Sequence, residues 1–158
     1  MSAARAEPEG AHRLSHRVLI AAPRPKVWRL VEDPEALMQW VDGLRSVDAP
    51  PGSSGGFVLG ATFVQRIRLG PVPSACQGEV IESVPPARLG VRIRHALFGL
   101  SIAYDFAAEG RRTAVSCRAS VQGAVLGKVV PRHKVERVTR ELLAEHLAAL
   151  KALAERDG

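Results

Sequence analysis

The sequence predicts an α+β fold in which a curved antiparallel sheet holds one long C-terminal helix on its concave face. Half a dozen segments alternate apolar and polar residues between Pro- and Gly-rich turns, which is typical of antiparallel strands. An amphipathic stretch after Pro131 then predicts a helix to about Arg156. Its apolar stripe comprises Val135, Val138, Leu142, Leu143, Leu147, Leu150 and Leu153. Such a stripe has to be buried on the face that the strands leave open.

The start of the chain predicts one strand and two short helices. Residues 13–20 alternate as a strand and end at Ala-Ala-Pro-Arg-Pro, which cannot continue one. Residues 26–31 and 34–41 have helical spacing, and Asp33 is a suitable N-cap for the second helix. Residues 49–56 are dense in Pro, Gly and Ser, so we expect a loop there.

Five more strands follow the loop. Period-two alternation covers residues 61–69, 89–95, 100–106 and 115–121, and a further strand is expected over residues 76–84 between two turns, although alternation does not settle which of its faces is buried. Their connections are short, which favours antiparallel pairing between successive strands in one sheet. One face of that sheet is then buried and the other faces water.

Composition indicates one domain over residues 13–156, preceded by a disordered leader over residues 1–12. The leader lacks the apolar core of a signal peptide, and no stretch has the ~20 apolar residues of a membrane-spanning helix. We therefore expect a cytoplasmic protein without an integral membrane segment. The net charge is +6, but the basic residues are dispersed and aromatics are only 4%, which argues against a nucleic-acid partner.

The two cysteines, Cys76 and Cys117, lack the spacing of a metal site or a redox pair. Free cysteine is usually a small buried apolar residue, and we expect that role for both. Phosphate-binding loops, nucleophile elbows and metal-spaced clusters are also missing from the sequence. The expectation is therefore a protein without metal or cofactor.

Three local phrases carry a resemblance to a known family. They are Ile20-Ala21-Ala22-Pro23 before Val27-Trp28, Asp33-Pro34 before Trp40, and Tyr104-Asp105-Phe106 before Thr113-Ala114-Val115. Together they resemble the START-like, polyketide cyclase/dehydrase and lipid-transport (SRPBCC) superfamily over nearly all of residues 13–155. Pro25 is an insertion relative to the family's spacing. The resemblance implies a helix-grip fold: a seven-stranded antiparallel sheet with the first strand beside the last, the long helix across its concave face, and a ligand tunnel between them.

Polar side chains on the apolar inner face are the best clue to chemistry, because burying them costs free energy unless a partner or a ligand satisfies them. Alternation places Gln65, His95 and Tyr104 there, and helical spacing adds Thr139 and His146. The predicted ligand cavity comprises Trp40, Phe63, Gln65, Ile67, Val91, Ile93, His95, Ile102, Tyr104, Phe106, Val135, Thr139, Leu142 and His146. His95 and Tyr104 are the candidates for catalysis. The competing interpretation is that each of these polar residues belongs to the core and forms a hydrogen bond with a neighbouring residue or a buried water.

Three functions stay open at this point. The first is the binding of a small hydrophobic or aromatic ligand, such as a lipid or a polyketide-like metabolite. The second is a polyketide cyclase or dehydratase that uses cavity histidine or tyrosine as acid-base groups. The third is an interaction subunit that presents outward arginines to an acidic partner or an anionic surface. These arginines are Arg66, Arg68, Arg92, Arg94 and Arg118. A homodimer is also left open.

Overall fold

Seven strands form one antiparallel sheet, and three helices accompany it. The computed structural model describes residues 12–48, 58–69, 72–96, 98–123 and 131–156. The elements are β1 His12–Ile20, α1 Arg24–Glu32, α2 Pro34–Trp40, β2 Leu44–Asp48, β3 Thr62–Leu69, β4 Val72–Val84, β5 Arg88–Arg94, β6 Gly99–Glu109, β7 Arg112–Gln122 and α3 Arg132–Glu155. The strand order is β1-β7-β6-β5-β4-β3-β2, with every neighbouring pair antiparallel. The predicted α+β helix-grip architecture is confirmed.

The second short helix begins at Pro34, as the sequence predicts, whereas the first begins at Arg24, two residues before the predicted start. Pro23 precedes α1, and Asp33 caps α2 by accepting a hydrogen bond of 3.1 Å from the Glu35 amide. The first strand begins at His12. The predicted leader, residues 1–12, was therefore one residue too long at this end. Residues 1–11 of that leader and the expected loop at 49–56 lie outside the described residues.

The alternation pattern missed β2, the strand at the sheet edge. Its pairing with β3 shifts between Leu44 and Ser46, so two residues of β2 stand opposite one residue of β3. A bulge of this kind breaks the period-two pattern, and five residues are too few to restore it. The family resemblance, which implies seven strands, predicted this strand, whereas the pattern of its own residues did not.

Register separates the two faces of the sheet. On β6, Ile102 pairs with Ala119 and Tyr104 pairs with Cys117 of the neighbouring β7, and all four belong to the inner set. The inner positions of β7 are almost fully buried, as are Leu14 and Ile20 of β1, whereas His16 and Val18 of β1 are half-buried. The buried set includes Ile20, Val115, Cys117 and Ala119, none more than 3% exposed. Both cysteines are buried and free, as predicted.

Helix α3 lies along β1, the strand at the edge of the sheet. The ammonium group of Lys151 donates a hydrogen bond of 2.8 Å to the Leu19 carbonyl oxygen, and the Ala21 amide donates one of 2.7 Å to the Glu155 carboxylate. The buried face of the helix comprises Val135, Leu143, Leu147, Leu150 and Ala154.

The predicted apolar stripe of α3 was too broad. Val138 is 44% exposed and Leu142 is 40% exposed. At about 100° per residue these two side chains point well to one side of the face centred on Leu147 and Leu150. The helix packs through its C-terminal half, so an apolar residue in the first half can stay in contact with water.

Candidate functional site

Several inner-face side chains of β3, β5 and β6 keep part of their surface exposed, unlike those of β7, although Phe63, Leu89, Ile93 and Phe106 on the same three strands are buried. The half-buried set comprises Gln65, Ile67, Val91, Leu100, Ile102 and Tyr104. Because α3 is held along β1, it covers the β1–β7 side of the concave face most closely. The concave face over β3, β5 and β6, where these side chains are partly exposed, is called the inner groove below.

Aromatic rings close one end of the inner groove. Tyr104 makes an edge contact with Trp40, with 6.4 Å between ring centroids, and stacks on Phe106 at 6.2 Å. Phe106 in turn receives an edge contact from Trp28 at 5.5 Å. The Trp40 indole N–H donates a hydrogen bond of 2.9 Å to the Leu30 carbonyl oxygen, so Trp40 is fixed as a wall between α1 and the sheet.

Tyr104 is held in a neutral pair with its cross-strand neighbour. Burial raises the pKa of Tyr104 well above its ordinary value, and the nearby thiol of Cys117 adds to the rise through charge and hydrogen bonding. Burial raises the pKa of Cys117 to about 12, although a hydrogen bond with Tyr104 opposes the increase. Neither group releases a proton near neutral pH.

His95 lies apart from Tyr104. It follows the last residue of β5, and its ring stacks on Phe98 in the β5–β6 turn at 4.7 Å. Tyr104 pairs with Leu89, six residues earlier on that strand, which separates the two along the sheet by roughly 20 Å. The two candidates for catalysis therefore cannot act on the same reacting atom. Alternation alone did not reveal this, because it reports the face of a residue and not its distance along the strand.

The remaining predicted cavity residues divide by burial. Trp40, Phe63, Ile93, Phe106 and Val135 are buried, whereas Gln65, Ile67, Val91, His95, Ile102, Tyr104, Thr139 and His146 are half-buried. Leu142 is exposed, and it belongs at most to the outer margin of the groove.

Two inner-face residues that the predicted cavity omitted are His16 and Gly78. His16 is half-buried opposite Cys117, and its place in the alternation of β1 was the available signal. Gly78 pairs with Phe63, and a Cβ atom built on it would lie 2.2 Å from the Phe63 ring. The ring therefore lies flat over this glycine. A glycine inside a strand is itself a signal of close approach.

His146 has an unsatisfied nitrogen. Its Nε2 atom is buried and lacks a hydrogen-bond partner, a state that only the Ser46 hydroxyl shares among side chains of the described residues. Burial lowers the pKa of His146, while the negative charges of Asp42 and Glu145 oppose that change. The imidazole is therefore neutral at pH 7.

Two open depressions lie on the β2–β5 part of the sheet, and both are lined mainly by outer-face residues together with a few inner-face ones, namely Phe63, Gly78, Ile67 and Ser74. One, of about 610 Å³, is lined by Asp48, Thr62, Phe63, Val64, Gln77, Gly78, Glu79, Arg92 and Arg94. The other, of about 540 Å³, is lined by Arg45, Arg66, Ile67, Arg68, Pro73, Ser74 and Ala75. The five arginines predicted to face outward are therefore divided, with Arg92 and Arg94 at the first depression and Arg66 and Arg68 at the second. Arg118 is on β7, away from the other four, and contacts Asp105 at 3.3 Å.

The described part of the chain contains no group of three or more His, Cys, Asp or Glu side chains that could hold a metal ion. Within the same residues, no helix is both long enough and apolar enough to cross a membrane.

Comparison with known proteins agrees with this geometry. The family model described as polyketide cyclase / dehydrase and lipid transport matches residues 11–155. The chain belongs to this family. A search of curated proteins with this sequence found no match.

Solved structures share its fold at low sequence identity. A START superfamily protein from Mycobacterium smegmatis has a TM-score of 0.79 at 16% identity, over 94% of this chain and 100% of its own. The Zhui aromatase/cyclase from Streptomyces sp. R1128 has a TM-score of 0.75 at 17% identity, over 92% and 94%. The di-domain aromatase/cyclase BexL, from the BE-7585A biosynthetic pathway, has a TM-score of 0.72 at 21% identity, over 94% of this chain and 51% of BexL.

Proposed function

We propose that the inner groove binds a small hydrophobic or aromatic molecule, such as a lipid, a polyketide-like compound or another apolar metabolite. The partial exposure of Ile67, Val91 and Ile102 on the concave side of the sheet carries this proposal. Covering apolar surface of this kind stabilises a complex by about 25 cal/mol for each Å² removed from water. Similarity to aromatase/cyclases supports an aromatic or polyketide-like ligand.

Binding without catalysis is the version that the site favours. General acid-base catalysis works best with a group whose pKa is near the working pH. Tyr104 and Cys117 both have raised pKa values, and His95 lies at the far turn. A polyketide cyclase or dehydratase is the alternative. Turnover of an aromatic polyketide that is lost in Tyr104→Phe, with binding unchanged, would favour it.

Nile red, a neutral apolar dye, tests the proposed groove. We expect saturable fluorescence enhancement with the wild-type chain. Gln65→Trp places a large ring in the inner groove and should weaken dye binding at least tenfold. Val64→Trp is the matched control, because Val64 is the neighbouring half-buried residue on the opposite face. Melting curves establish that both variants are folded. Equal dye binding by the two folded variants would contradict the proposal.

We also propose that the depression lined by Arg45, Arg66 and Arg68 receives an acidic segment of a protein partner. Only Arg66 of these three makes an ion pair within the described residues, to Asp48 at 3.7 Å. Alternate side chains of an extended segment are about 7 Å apart, which matches the spacing of Arg66 and Arg68 on β3. Guanidinium groups bind carboxylates through two parallel hydrogen bonds.

Fluorescently labelled polyglutamate tests this surface. The double variant Arg66→Glu, Arg68→Glu should lose binding, whereas Arg118→Glu on β7 should retain it. Added salt should weaken the wild-type complex, because exposed charges are screened. Binding to anionic vesicles in place of polyglutamate would contradict the protein-partner proposal and point to a membrane surface. The expected cytoplasmic location and homodimer stay predictions.

A further inference from the structure

His146 lies on the side of α3 that faces away from β1. Lys151 and Glu155 hold the helix to the chain at Leu19 and Ala21. At 100° per residue, His146 is turned about 140° from Lys151 around the helix axis. The negative charge of Asp42, in the turn between α2 and the edge strand β2, acts on the pKa of His146. His146 therefore lies on the side of α3 toward α2 and the turn that contains Asp42, where Trp40 of α2 borders the inner groove.

The buried Nε2 atom gives this position a chemical preference. A buried nitrogen without a partner is unfavourable, and it becomes favourable when a ligand supplies the missing hydrogen bond. The neighbouring Thr139 and Val135 lie on the same side of the helix, one half-buried and one buried. His146 Nε2 is thus the buried polar atom on this side of α3 that lacks a hydrogen-bond partner, beside the half-buried Thr139.

We propose that His146 Nε2 is the polar anchor of the inner groove and selects apolar ligands that carry a hydroxyl group; this proposal rests on the proposed binding function. A hydroxyl both donates and accepts a hydrogen bond, so it pairs with either tautomer of a neutral imidazole. A carboxylate is a poorer fit, because it would approach the negative charge of Asp42. Phenolic and other hydroxylated aromatic compounds are therefore the preferred class.

The test compares naphthalene with naphthol, which differ by one hydroxyl group. Dissociation constants are measured for the full chain by calorimetry. His146→Leu should weaken naphthol binding about tenfold and leave naphthalene binding unchanged or slightly tighter. His146→Gln keeps a hydrogen-bonding side chain and should restore part of the naphthol affinity. His133→Leu is the control, because His133 is an exposed histidine of the same helix.

Nitrogen NMR of the histidine side chains supplies a second readout. The Nε2 resonance of His146 should shift with naphthol and stay in place with naphthalene. Failure of both compounds to bind the wild-type chain would remove the proposed function itself. Binding of both, with equal effects of His146→Leu on each, would leave the groove intact and overturn the anchor.

Discussion

The two sides of the concave face differ in how closely α3 covers them. On the β1–β7 side, inner residues such as Ile20, Val115 and Cys117 have almost no exposed surface. On the β3–β5–β6 side, Ile67, Val91 and Ile102 are equally apolar but half-buried. Residue type is therefore not what separates core from site. The position of the helix, held to β1 by Lys151 and Glu155, makes the difference.

The largest expected effect is on the packed side. Leu150 is fully buried, so Leu150→Ala removes apolar contacts and leaves a cavity. We expect the free energy of unfolding to fall by about 3 to 4 kcal/mol in urea denaturation. A loss below 1 kcal/mol would show that α3 is not packed closely against the β1 side.

The wall formed by Phe63 gives the next effect. Gly78→Ala places a methyl group against the Phe63 ring, which has to move toward the groove, and we expect a loss of about 2 kcal/mol. Gly99→Ala is the matched control on β6, because its nearest neighbours are side-chain atoms of the flexible Gln122 at 3.3 Å. Thermal melting should separate the two variants by several degrees. Equal melting temperatures would contradict the flat packing of Phe63 over Gly78.

On the open side, Ile102→Ala should have a smaller effect than Leu150→Ala, although both remove apolar side-chain atoms of similar volume. Ile102 is half-buried, so its truncation exposes less new surface, and we expect a loss of about 1 kcal/mol. Urea denaturation of the two variants side by side measures the contrast. Equal losses would mean that the inner groove is packed as tightly as the core.

The smallest effect concerns pH. Because burial lowers the pKa of folded His146 below 6.5, the unfolded chain takes up a proton first as pH falls. The contribution of this group to stability is complete above pH 6.5 and decreases as pH falls toward the lowered folded value. The free energy of unfolding of His146→Gln should therefore depend less on pH over that window. Identical pH profiles for wild type and variant would argue against a buried neutral imidazole.

Much of the fold was predictable from local pattern. Alternation assigned Phe63, Ile102 and Tyr104 to the inner face, because successive side chains of a strand point to opposite sides. The short connections indicated antiparallel order, and Asp33 with Pro34 marked the start of α2. The edge strand β2 could not be read in this way, because its bulge interrupts the period that identifies a strand.

Positions within the site depended on long-range packing. The sequence by itself determined which side chains point inward, since that follows from backbone geometry over a few residues. Only the tertiary structure decided which of them stay open to a ligand. The placement of α3 along β1, the separation of His95 from Tyr104 and the unsatisfied Nε2 of His146 each depend on contacts between residues far apart in the chain. No local period encodes such contacts.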